Sequence, residues 1–398
     1  MGGEDRGEAL RPYWLQGDRM RVAIIGYAVS KLEWDAEKTR EEAVFEVTRE
    51  AMRRAGVERE DVGTVISAST DFLDGRTISN CMLIGASGAY LKDESKAEED
   101  GMYAALYAAQ RIMSGVHDVA LAISHTHSWI FNPHQVSQYM LEPWFDRQNE
   151  LLNGITLAAL QARLYMSRSG VDEGHLAEVC VKNLRNAAKV PYAFRKMADV
   201  TVEEVLESKL YSSPLTELMI APPCDGAAAV VLASEEVAKE LCDEPVWIKG
   251  IGNSCDRYLR DRDLGRLESL RLAAEKAYRM AGIEEPFRQI DVAEISERFA
   301  HHELMAYEAL GFCRDGMGKV LIEEGITEVY GDMPVNPSGG ALAGDAICAT
   351  GMIRLIEAAR QVRGEAENQV EDCRTALAHA QWGLCAQKNL VFVLGDRP

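Results

Sequence analysis

Four groups of residues in this chain have types and spacings that could do chemistry. The first is a small-residue stretch, Asn336-Pro337-Ser338-Gly339-Gly340, followed by Asp345, Cys348 and Ala349-Thr350-Gly351, in which a carboxylate and a thiol sit close to glycines that let backbone approach a ligand. The second is the histidines. His125, His127 and His134 fall close together, but without carboxylate or cysteine at ligand spacing they read as ordinary loop histidines. His301 and His302 open a helical pattern, where neighbours at i and i+1 face different ways, so a shared metal is not expected. The third is the cysteines: nine, an odd number with no Cys-x-x-Cys pair, which suits reduced thiols in the cytoplasm rather than a disulfide frame. The fourth is two basic spots, Lys182 with Arg185 and Arg195 with Lys196, which suit either phosphate contacts or a solvated basic face.

The balance of charge narrows the partners. A net charge of −20 over 398 residues disfavours nucleic acid and anionic membrane surfaces, both polyanions. Apolar runs are broken by charges well before the roughly 18 residues of a spanning helix, and the acidic, Trp-containing N-terminus has no signal-peptide core. Residues 1–19 read as an extension outside the fold.

An internal repeat supplies the elements that must position these groups. Arg54-Ala55-Gly56 closes a helical pattern and leads into a β-branched run at 62–67; Met280-Ala281-Gly282 does the same ahead of 290–295. Met102–Met113 with the run 119–124 is echoed by Met352–Val362 with 375–379. Each half reads strand, helix, strand, helix, strand, the first at 20–240 and the second at 241–398. A long excursion, about 124–214, interrupts the first. Short β-branched runs between helical periods imply buried mixed sheets with helices against them.

The Asn336–Gly351 stretch resembles the Asn-Pro-x-Gly-Gly…Gly-His-Pro…Ala-Thr-Gly segment of thiolases. Glu294–Phe299, Cys224–Ala229 and the stretch from Leu377 to Gly383 extend the resemblance, which covers roughly 20–395 and leans to the sterol-carrier-protein type. It implies a five-layered αβαβα sandwich of two repeated halves with an inserted loop domain, and coenzyme A or an acyl-CoA as a ligand that is not covalently held. Lys182, Arg185, Arg195 and Lys196 are then candidates for the CoA phosphates.

The family's catalytic positions are altered here. Its nucleophilic Cys, at a helix N-terminus that favours the thiolate, falls on Glu98. Ser296 stands at an oxyanion-hole position, Arg298 where some branches carry an acid/base Cys, and Asp345 where the activating His belongs. Asn336, Gly339 and Gly340 match the oxyanion and structural loop, and His379 matches a His near the C-terminal loop. Cys348 and Cys385 read as buried thiols. Glu98 and Asp345 would meet where nucleophile and base normally meet: buried together they form an acid–base pair, and paired to Arg298 they are idle.

The resemblance, less its chemistry, implies a non-thiolytic, acyl-CoA-binding subunit of a homo- or hetero-oligomer, partnered by a thiolase paralogue and a small zinc-ribbon/OB-fold protein. The alternative is a Cys-independent carbon–carbon lyase or condensing enzyme that uses carboxylates on an acyl-CoA.

Overall fold

The computed structural model describes residues 21–34, 37–127, 136–149 and 151–398; the extension expected at 1–19, and His134, lie outside them. Eight runs with the expected strand character pair into one mixed sheet together with a ninth. They are β1 (Val22–Val29), β2 (Thr64–Ala68), β3 (Asp93–Ala97), β4 (Val119–Thr126), β7 (Gly226–Ser234), β8 (Val246–Cys255), β9 (Val292–Glu294), β10 (Thr375–Trp382) and β11 (Lys388–Gly395), in the order β3-β2-β4-β7-β1-β8-β11-β10-β9. A separate hairpin holds β5 (Leu210–Ser212) and β6 (Leu215–Thr216). Parallel pairing is confined to the two ends, where β2 lies between β3 and β4 and where β9 meets β10.

The two repeats meet at β1 and β8, which share only the pairs Ala23↔Trp247 and Ile24↔Val246. Helices hold the rest. The principal ones are α1 (Arg40–Ala55), α2 (Asp71–Asp74), α3 (Gly101–Met113), α4 (Gly154–Ser169), α5 (Glu173–Ala187), α6 (Glu268–Ala281), α7 (Ala300–Ala309) and α8 (Thr350–Arg363). The echoed glycines end α1 and α6 in the same way: Gly56 and Gly282 sit at φ 68° and 73°, the left-handed turn that a side chain would strain.

The central strands β1, β4, β7 and β11 are buried on both faces, so each face needs a helical layer. Val44 and Ala51 of α1 pack on Ile25, Leu121 and Val231. On the opposite face Ala104, Leu106 and Ile112 of α3 join Met352, Leu355 and Ile356 of α8, between Ile24 and Val230 of one half and Ala378 and Phe392 of the other. Ala273 and Ala277 of α6 cover the far side over Val391 and Val393. That order is α1, sheet, α3 with α8, sheet, α6: the expected five layers. Among the described residues no helix is long and apolar enough to cross a membrane.

Candidate active site

The turn from β3 into α3 brings the altered nucleophile position to the surface of a cavity. Asp100 caps α3, its Oδ1 accepting the Met102 N–H at 2.8 Å, while its Oδ2 accepts the Gly351 N–H of α8 at 2.7 Å. Two helix N-termini thus converge on one buried carboxyl. Burial pushes Asp100 up to about 7, against the two hydrogen bonds and the charge of Arg298. Glu98 points away from this junction. It is half-exposed, takes a 2.8 Å contact from Lys96 and accepts the Asp71 N–H at 3.0 Å, so it braces the start of α2.

On the other side, Asn336 (φ 53°) gives its side-chain N–H groups to Glu297 and Glu303, each at 2.8 Å, and its Oδ1 accepts the Ile295 N–H at 2.7 Å. Gly340 sits at φ 64°, and a Cβ there would lie 2.0 Å from Glu297 Oε1; one at Gly339 would lie 2.6 Å from Ala187 Cβ and 2.9 Å from the Asn183 carbonyl. These three residues shape the loop and do not line the cavity. Burial, with Glu303 beside it, pushes Glu297 up to about 8.

Lys182 belongs to this same interior, which corrects its assignment to a CoA phosphate. Its Nζ lies 2.7 Å from Glu303 and donates to the Val335 carbonyl at 2.6 Å, and the side chain is 1% exposed. Arg195 is half-buried and donates to the Ile220 carbonyl. Arg185, 3.9 Å from Glu328, and Lys196, bonded to the Pro191 carbonyl, keep to the surface.

The cavity itself encloses about 410 Å³. Glu98 and Asp345 both line it, yet they are not bonded to each other as an acid–base pair. Asp345 Oδ1 accepts from Thr350 Oγ1 at 2.7 Å, and its Oδ2 is 3.3 Å from Arg298 Nε, close enough for an ion pair but not aligned as a hydrogen bond. Arg298 also donates to the Ile347 carbonyl at 2.8 Å and lies over the Trp382 ring at 5.4 Å.

Ser296 and His379 do not reach the cavity wall. Ser296 is buried with its Oγ unpartnered among the described residues. His379 is enclosed in β10, its Nε2 2.9 Å from Asn389 Oδ1, and burial pushes it down to about 4.

His302 is the histidine that does reach the wall, and its place on α7 went unread because the pair with His301 was weighed only as a metal site. Gln161 gives its N–H groups to the carbonyls of Leu264 and Cys385, so its Oε1 must accept from His302 Nε2, at 2.9 Å. Nδ1 then accepts from Gln381 at 3.0 Å. Both nitrogens are committed, and burial pushes the imidazole well below its usual range, so His302 offers the cavity a neutral ring and no free base.

The thiols are likewise withheld. Burial raises Cys385, the one cysteine among the described residues that line the cavity, and Cys348 behind it to about 12. His125 faces Asp74 and His127 faces Asp225, each at 3.2 Å, and no group of three or more metal-ligating side chains occurs among the described residues.

A two-half α/β sandwich with an Asn-Gly-Gly loop and paired helix tips at one cavity is a thiolase-type architecture. Comparisons agree. Residues 252–396 match the family model described as thiolase C-terminal domain-like. An acetyl-CoA acetyltransferase of Methanothermobacter thermautotrophicus is 32% identical over 90% of this chain and 95% of its own length. Bovine (Bos taurus) sterol carrier protein 2 is 26% identical over 91% and 70%. Among solved structures, the Ltp2-ChsH2(DUF35) aldolase superposes with a TM-score of 0.82 over 94% of this chain and 98% of the matched chain, at 24% identity, which shows a shared fold. The chain therefore belongs to the thiolase superfamily, on its sterol-carrier-protein side.

Proposed function

We propose that this chain binds an acyl-CoA in the thiolase manner but performs no cysteine-dependent acyl transfer, and that it serves as one subunit of a heteromeric thiolase-type complex. The observation that carries this reading is the tip of α3. Where the family needs a thiolate it has Glu98, tied to Lys96 and to the α2 backbone, and Cys385 on the cavity wall is held protonated far above neutral pH. Arg185 and Lys196 remain as surface cations for the CoA phosphates. A thiolase paralogue would supply the missing nucleophile, and a zinc-ribbon/OB-fold protein is the second partner; the matched Ltp2-ChsH2(DUF35) aldolase, with its DUF35 component, supports that kind of assembly.

A second reading has its own support. Asp345 faces the cavity beside Arg298 with one aligned hydrogen bond from a side chain, so it keeps lone pairs for a substrate proton while the guanidinium is placed to steady a developing oxyanion. That is the equipment of a Cys-independent carbon–carbon lyase.

Intact-mass measurement after incubation with acetoacetyl-CoA tests the first reading: the expected mass is that of the unmodified chain, with no thiolysis. A stoichiometric acyl adduct on any cysteine would overturn it. Loss of turnover by the assembled complex on Asp345→Asn, with folding intact, would transfer the conclusion to the lyase.

A further inference from the structure

The walls of the cavity carry more information than its catalytic positions. Among the described residues four aromatic side chains line it, Phe72, Tyr139, Phe299 and Trp382, with Leu73, Met140, Ile347 and Leu384 between them. Phe72 and Tyr139 already stand against one another, ring centroids 5.5 Å apart at 44°. Trp382 presents its ring to Arg298, and Arg298 is the only cationic side chain among the described lining residues. His302, with both nitrogens occupied, adds a further flat ring.

Size argues in the same direction. A cavity of about 410 Å³ falls within the range of about 300–1,000 Å³ that encloses drug-sized ligands, far more than an acetyl group fills. Charge narrows the choice. Asp345 already has Arg298 and Glu98 already has Lys96, so an acyl group bearing its own carboxylate meets two carboxylates and no unpaired cation among the described lining residues. Flat apolar walls at several angles suit a rigid ring, which stacks offset or edge-on and loses little conformational freedom, better than a flexible alkyl chain.

We infer that the cavity is a site for an uncharged aromatic acyl group, its ring held among Trp382, Phe72 and Tyr139 and its thioester carbonyl turned to Arg298. This rests on the acyl-CoA reading above. Ring contacts supply affinity, and the Arg298–Trp382 stack fixes how far the carbonyl enters. The closed Asp345 side sets the chemistry that the ring may carry: carbon and hydrogen, without an anionic substituent.

Calorimetric titration of the full-length chain tests this with phenylacetyl-CoA against octanoyl-CoA, which has the same number of acyl carbons, and against acetyl-CoA and succinyl-CoA. Phenylacetyl-CoA should bind roughly three- to tenfold more tightly than octanoyl-CoA, the increment that aromatic contacts supply, and more tightly still than the other two. Trp382→Leu and, separately, Phe72→Leu on a half-exposed site should erase the preference over octanoyl-CoA while the melting temperature and the affinity for free CoA hold. Equal or tighter binding of octanoyl-, acetyl- or succinyl-CoA overturns the inference. Should no CoA thioester bind, phenylacetyl-N-acetylcysteamine against its octanoyl counterpart separates the two claims: a retained ring preference keeps the aromatic site and overturns the CoA reading, and its absence overturns both.

Discussion

The buried loop behind the cavity and the helix tip that opens on it have been treated differently by this sequence. Around Asn336 the polar side chains are tied to one another: Glu297, Glu303, Asn183 and Lys182 close a buried network in which the glycines leave no room for a side chain. At the α3 tip the side chains face open volume, and there the family's nucleophile and base positions hold Glu98 and Asp345. A network that cannot lose a member without stranding a buried charge resists change, whereas a side chain facing a cavity can be exchanged at little cost to the fold.

The sharpest way to break this comparison is Lys182→Met. It strands Glu303, and removing one partner of a buried pair costs roughly 3–5 kcal/mol, read as a fall in the urea midpoint. A change no larger than that of a surface lysine would return Lys182 to the surface and to CoA. A smaller effect of opposite sign is expected at His301, whose two nitrogens lack hydrogen-bond partners and which burial holds down at about 3. His301→Leu should stabilise by about 1–3 kcal/mol, the cost of an unsatisfied buried polar group.

The effect at His301 should depend on pH with a definite sign. The folded imidazole stays neutral while the unfolded one takes a proton below its ordinary 6.5, so the wild type loses stability as pH falls through that value, and the variant loses only the share that the buried His302 and His379 contribute. The gap between them should widen by about 1.4 kcal/mol per pH unit below it, and unfolding at pH 7.5 and 5.5 checks both size and direction. The smallest effect is at the tip itself. Glu98→Gln disturbs a half-exposed ion pair of roughly 0–1 kcal/mol, so the melting temperature should hold to within a small shift and turnover of the assembled complex should stay within a few-fold of wild type. Abolished turnover would make Glu98 an acid or base after all.

Much of the fold was legible because its signals are local. Gly56 and Gly282 each end a helix, and the paired runs that follow became β2 and β9 within a few residues of their expected bounds. β3 was missed because Asp-Glu-Ser-Lys-Ala has no strand pattern; it is an edge strand whose charged side chains find partners in Asn80, Arg111 and Asp71. Lys182 was read from its charge, although Val179 and Asn186, its neighbours at helical spacing, mark the buried face of α5. Asp100 carried a readable signal, a capping residue directly before the helix, but its second bond to Gly351 joins residues 251 positions apart, and no local pattern reports that. Of the two outcomes the residue types allowed for Glu98 and Asp345, neither held in full: Asp345 pairs with Arg298 but Glu98 with Lys96, a geometry that sequence spacing does not contain.

That shared carboxyl has a consequence for how the molecule can be divided. With only two residue pairs between β1 and β8, the halves look separable at the sheet, yet α3 and α8 bury their apolar faces on one another and start from the same side chain of Asp100. A gene split between β7 and β8 would yield fragments that each expose a sticky helical face, and the second would also leave the start of α8 without the Asp100 carboxyl. Neither piece is a free-standing ancestor in miniature: they are halves of a clasp, and they should acquire stable structure only when co-expressed.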